Sequence, residues 1–73
     1  MSGTLRMFTI YDHPRDCPDG FVVREWDVGA DGMTSVQAWV APDLDTARTA
    51  IPRGLARIPR APDDDAVIVE TWT

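Results

Sequence analysis

The chain has no lysine: its seven basic residues are all arginine, set against twelve aspartates and glutamates, for a formal net charge of −5. Its one cysteine, Cys17, excludes an internal disulfide, which suits a reducing compartment. One histidine beside one cysteine falls short of the four protein ligands, typically several Cys and His, of a closed zinc site. No apolar run approaches the roughly 20 residues of a membrane-spanning helix. The segment from Met1 to Leu5 lacks the basic and apolar parts of a signal peptide, so a soluble intracellular protein is expected. Neither an internal repeat, nor a linker, nor a catalytic motif stands out. A chain of 73 residues is expected to make one domain, 1–73. Such a domain buries only about 60% of its unfolded surface and leaves little room for an enclosed substrate cavity.

What is present is the composition of a folded globule. Hydrophobic residues make up 44% of the chain and include Trp26, Trp39 and Trp72, which rules against a disordered acidic tail. The tryptophans are expected in the core, where each supplies a large buried area. Leu5 to Tyr11 is rich in aromatic and β-branched residues and stops at Asp12-His13-Pro14, the pattern of a strand ended by a proline turn. Pro14 to Gly20 follows as a loop and Phe21 to Val28 as a second strand. An Asp31-Gly32 turn then leads to Ser35–Ala41, where Val36, Ala38 and Val40 alternate against Gln37 and Trp39. Strands two and three are expected to pair as an antiparallel hairpin.

After Pro42 the period changes. Asp43 is placed to cap a helix carrying Leu44, Ala47, Ala50 and Ile51 near one face, with Asp45 in the first turn where the macrodipole favours a carboxylate. Pro52 and Gly54 end it after about two to three turns, too short to stand without packing on a sheet. Leu55 to Pro62 reads as an extended, arginine-bearing connector. The apolar run Ala66–Trp72 reads as a final strand, central in the sheet and beside the first. The expected architecture is α+β: an antiparallel sheet of about four strands with one short helix packed on it.

The charges fall in groups. Asp12, Asp16, Asp19, Glu25, Asp27 and Asp31 are offset only by Arg15 and Arg24, and Asp63-Asp64-Asp65 forms a second acidic group. Arg48, Arg53, Arg57 and Arg60 lie between them. Residues two apart on an extended chain point the same way about 6.6 Å apart, so Glu25 with Asp27, or Asp63 with Asp65, can present regularly spaced negative charge. DNA carries a phosphate per about 3.4 Å of axis on each strand and is bound largely through Arg and Lys. The nine carboxylates of the two groups are therefore the candidate partner-binding residues, acting as a DNA mimic on a basic protein surface. The bland alternative is a solvated face, since runs of like charge commonly serve solubility. Whether the fold joins the two groups or separates them is open at this level.

Other chemistries are less well supplied. The four arginines of the helix end and connector form a small basic stripe, and the tryptophans can stack bases. The net charge opposes direct nucleic-acid binding, and pairing of those arginines with nearby carboxylates is the simpler expectation. The Asp12-His13-Pro14-Arg15-Asp16-Cys17 run carries residue types able to ligate a metal or form a nucleophile and base. A full zinc ligand set is missing, however, and a Cys17 nucleophile needs His13 to converge on it beside an oxyanion site. No enzyme activity, metal or cofactor is expected. Cys17, expected to be exposed, could cross-link two copies on oxidation, and a symmetric homodimer would double the acidic area.

Several runs extend over nearly the whole chain: Met7 to Asp16, Phe21 to Arg24, Ala47-Arg48 with Ile51-Pro52 and Gly54-Leu55, Pro59-Arg60, and Asp64-Asp65 with Ile68 to Glu70 and Trp72. On these residues the chain resembles a family of small uncharacterised bacterial proteins frequent in alphaproteobacteria. It also resembles, in size and acidity, the small acidic anti-CRISPR proteins of phages and prophages, in particular inhibitors of the type I-C system. That resemblance implies a non-enzymatic, cytoplasmic inhibitor in a bacterial host cell. It would bind the crRNA-guided complex Cascade and block its access to target DNA, without membrane or direct nucleic-acid contact. The alternative expectation is a general bacterial interaction module for a basic protein partner.

Overall fold

A computed structural model describes residues 5–73. The expectation that the first residues carry no leader therefore lies largely outside the described residues. Five strands and one helix follow in the order β1 (Leu5–Asp12), β2 (Phe21–Gly29), β3 (Gly32–Ala41), α1 (Leu44–Thr49), β4 (Arg57–Pro59) and β5 (Ile68–Trp72). They form one antiparallel sheet in the order β3-β2-β1-β5-β4. The α+β class thus stands, with five strands instead of about four. The additional strand, β4, lies within the segment read as a connector. It is only three residues long and pairs Arg57, Ile58 and Pro59 with Trp72, Thr71 and Glu70. A three-residue strand with a proline carries no periodic signal of its own; the neighbouring β5 creates it.

Local chemistry sets the turns. The backbone reverses after Asp12 with His13 at φ 48, and His13 N donates to Gly20 O at 3.0 Å to close the loop. The β2–β3 hairpin turns through Ala30-Asp31, and Gly32 takes φ 113, which glycine adopts without a Cβ penalty. This early turn lets β3 start at Gly32, three residues before the expected Ser35, so Met33 and Thr34 pair with Val28 and Asp27. Asp43 caps α1 as expected, its Oδ1 accepting from Thr46 N at 2.7 Å. The helix is shorter than expected, six residues ending at Thr49. β5 lies beside β1, as the apolar run suggested, with its pairing shifted between Ile10 and Tyr11.

The helix covers one face of the sheet. Phe8, Ile10, Val23, Ala41 and Ala47 form the buried cluster, with Phe21, Leu44, Ile51, Leu55, Val69 and Trp72 packed around it. Each of the larger buried side chains contributes about 1.5–3 kcal/mol relative to exposure. Two carboxylates share this face. Glu70 is 2% exposed and is held bidentately by Arg48, with Nε to Oε2 at 3.0 Å and Nη2 to Oε1 at 2.9 Å. Trp72 Nε1 also donates to Glu70, at 2.7 Å, and the Arg57 guanidinium stands 3.9 Å away. Among these contacts the hydrogen bond from Arg48 dominates and holds the Glu70 carboxyl below the usual carboxylate range. Glu70 thereby ties the helix, β4 and β5 together.

The tryptophans divide, which corrects the expectation that all three lie in the core. Trp72 packs against the core cluster, Trp39 is 36% exposed and stacks on Phe8, and Trp26 lies on the opposite face under Arg24. Among the described residues no helix covers that opposite face.

Candidate functional site

Strand direction gathers the loops at one end of the sheet. Asp12 pairs with Phe21, and Phe21 with Ala41, so the end of β1, the start of β2 and the end of β3 lie in line. Asp12 N donates to Val67 O at 2.7 Å, which brings the β4–β5 loop to the same end. The two acidic groups, left open by the sequence, are therefore partly united. The end of β1 at Asp12, the β1–β2 loop with Asp16 and Asp19, and the β4–β5 loop with Asp63, Asp64 and Asp65 lie at this one end, where Asp16 and Asp65 line the same groove. Asp43 and Asp45, read from sequence only as the helix cap and a first-turn carboxylate, lie just past the end of β3 at this same end. Nothing in the sequence marks them as members of this end, because strand order alone carries them there.

The remaining candidates lie elsewhere. Glu25 is 6% exposed on the helix-covered face, where it accepts from Arg6 Nε at 3.1 Å and Gln37 Nε2 at 2.9 Å. Its charge is turned inward and it presents no free carboxylate, so the Glu25–Asp27 pair does not form an exposed row. Asp27 and Asp31 sit at the other end of β2, roughly 20–25 Å from the acidic end at about 3.3 Å per residue.

At the acidic end four carboxylates also organise their own loops. Asp64 Oδ2 accepts from Ala61 N at 2.9 Å, and Asp65 Oδ1 from Val67 N at 3.2 Å. Asp12 shares a hydrogen bond with His13 Nδ1, and the His13 ring stands edge-on to Phe21. Asp43, bonded to the Thr46 backbone N–H, is held below the usual carboxylate range. These contacts fix the loops while leaving the outer oxygens in solvent, as the 54% exposure of Asp12 and 71% of Asp16 show.

A groove of about 660 Å³ opens on the uncovered face beside this end. Tyr11, Val22, Arg24 and Trp26 lie along its floor, and Pro14-Arg15-Asp16 and Asp65 with Val67 form its walls. Asp16 and Asp65, one from each acidic segment, thus border a single groove. Arg24 Nη2 lies 3.8 Å from Asp16 Oδ2, and the Arg24 guanidinium sits 5.7 Å above the Trp26 ring. Among the described residues, Trp26 Nε1 is the buried side-chain polar atom without a hydrogen-bond partner.

The other candidate chemistries are less assembled. Among the described residues, no three of His, Cys, Asp and Glu come together as a metal-ligand set. Cys17 is partly buried, not exposed as expected, with its backbone N donating to Pro14 O at 2.9 Å. Of the four arginines in the proposed basic stripe, Arg48 and Arg57 turn to Glu70, and Arg60 Nη1 donates to Asp64 O at 3.3 Å.

Fold and surface together define a small α+β module: one antiparallel sheet, one short helix, an acidic end and an open sheet face. Among the described residues no helix is long and apolar enough to cross a membrane. The chain matches no protein-family model, no curated protein and no solved structure.

Proposed function

We propose that this protein is a non-enzymatic inhibitor whose acidic end occupies a basic surface of a nucleic-acid-binding complex. The observation that carries this reading is that Asp12, the loop bearing Asp16 and Asp19, and the loop bearing Asp63, Asp64 and Asp65 share one end of the sheet, tied by the Asp12 N to Val67 O hydrogen bond, with Asp16 and Asp65 on one groove. Carboxylates from two loops and a helix start thus share one end of a chain of net charge −5. Such an end attracts the arginines and lysines that line a channel built for DNA. The groove adds shape: Asp16 and Asp65 flank it, and the Tyr11 ring offers an apolar face for the stem of one inserted basic side chain.

The particular complex, type I-C Cascade, comes from the resemblance to acidic anti-CRISPR proteins. Binding of target duplex DNA by purified Cascade, with and without this protein and at two salt concentrations, tests it. The Asp63→Asn, Asp64→Asn, Asp65→Asn variant is the matched control, because an Asn carbonyl can still accept the loop hydrogen bonds of Asp64 and Asp65. Loss of DNA binding with the wild type, relieved by the variant or by salt, supports the reading. Unaltered DNA binding and no association with Cascade removes it, and leaves a module for a different basic protein partner.

A further inference from the structure

The two edges of the sheet are treated in opposite ways. β4, at one edge, is three residues long and carries Arg57 and Pro59, which are features that blunt an edge against further pairing. β3, at the other edge, is ten residues long, and its sequence Gly-Met-Thr-Ser-Val-Gln-Ala-Trp-Val-Ala contains neither a charge nor a proline. In a chain that is 26% charged, this is the segment where protective charges are most needed and least present. Every residue of β3 except Ala41 is exposed, including Val40 at 67%, Met33 at 51% and Val36 at 49%.

We infer that β3 is an interaction edge and that its occupant is the β3 strand of a second copy, paired antiparallel across a two-fold axis. Regular pairing has a defined limit. Gln37 faces Glu25 while Ser35 faces Trp26, so Val36 is an extra residue that bends the strand. The longer regular stretch is Gln37–Ala41. A two-fold axis at Trp39 sets Trp39 against its counterpart and Ala38 against the other copy's Val40, cross-strand pairs of a kind that stabilise sheets.

Charge favours this occupant and this direction. An uncharged edge asks for an uncharged strand, and β3 itself is one. The basic partner proposed for the acidic end would find no carboxylate along it. Antiparallel pairing about Trp39 keeps the two acidic ends apart: the Asp43 residues of the two copies are separated by roughly 25 Å along the strands. That exceeds two Debye lengths at physiological salt. Parallel pairing would set the acidic ends side by side.

The test is sedimentation equilibrium across protein concentration at low and moderate salt, joined to hydrogen exchange of the β3 amides. The expected result is a concentration-dependent species of twice 8.1 kDa. It should tighten as salt screens two chains of −5, and β3 amides should gain protection as the dimer forms. Docking on a basic surface weakens with salt, so failure of this inference and failure of the proposed function are separable. Val40→Lys and Ala38→Lys, both at exposed positions, should each weaken the dimer at least tenfold while leaving the melting temperature unchanged at concentrations low enough that wild type and variants are all monomeric. Ile58→Lys on the β4 edge should leave the dimer unchanged. A monomer at all concentrations, or a dimer indifferent to both β3 variants, overturns the inference.

Discussion

Replacing Glu70 by Gln keeps the shape of the side chain and removes one charge from the centre of the helix-covered face. Arg48 then loses its bidentate carboxylate, and Arg57 the anion 3.9 Å away. Breaking a fully buried ion pair costs about 3–5 kcal/mol. Arg48 is 41% exposed and can turn partly to water, so the expected loss for Glu70→Gln is lower, about 2–3 kcal/mol. For a domain of this size that corresponds to a melting temperature lower by roughly 10–20 °C at pH 7. The pH dependence supplies a sharper check. The Glu70 carboxyl is held below its usual range in the folded state, chiefly by Arg48, so the unfolded chain takes up the proton first. Its stabilisation is complete above the unfolded value, near pH 4.3, and is lost as pH falls through the lower folded value. The difference between wild type and Glu70→Gln, followed by thermal melts from pH 7 down to 3, should be widest at neutral pH and narrow below about pH 4. A difference that stays constant over that range, or a variant that melts within about 2 °C of wild type at pH 7, would refute the role given to Glu70.

Three further outcomes follow from single contacts. A Cβ at Gly20 would stand 2.9 Å from Ala41 O and 3.2 Å from Val40 Cγ1, so Gly20→Ala should destabilise by about 1–3 kcal/mol in urea titrations; an unchanged midpoint would mean that the β2–β3 ends shift freely. Asp43→Ala should lower the melting temperature by freeing the Thr46 N–H, and Asp43→Ser should restore most of it; equal melting of the two variants would deny the cap its role. Because Trp26 Nε1 is buried without a partner, Trp26→Phe should cost less than about 1 kcal/mol by chemical denaturation, and a loss above about 2 kcal/mol would reveal a hydrogen bond there.

Much of the framework was legible because it rests on short-range chemistry. The Leu5 to Tyr11 run, the Asp31-Gly32 turn, the Asp43 cap and the apolar final strand each carry their signal within a few residues, and each has its place in the structure. β4 was not legible, because Arg57, Ile58 and Pro59 become a strand only through pairing with β5. The inward turn of Glu25 was hidden for a similar reason: its partners, Arg6 and Gln37, come from strands on either side of it.

The sequence by itself determined the net charge, the absence of lysine, the charge-free run of β3 and the turns that divide the chain, since these depend on residue identity and near neighbours. Tertiary structure decided which charges act together. Strand order puts the loop of Asp63, Asp64 and Asp65 at the same end of the sheet as Asp12, Asp16 and Asp19, carries Asp27 and Asp31 to the far end, and turns Glu25 and Glu70 inward onto arginines. The physical reason is that charges interact through space over about 8–10 Å, whereas the sequence orders them along a chain whose path only long-range strand pairing fixes.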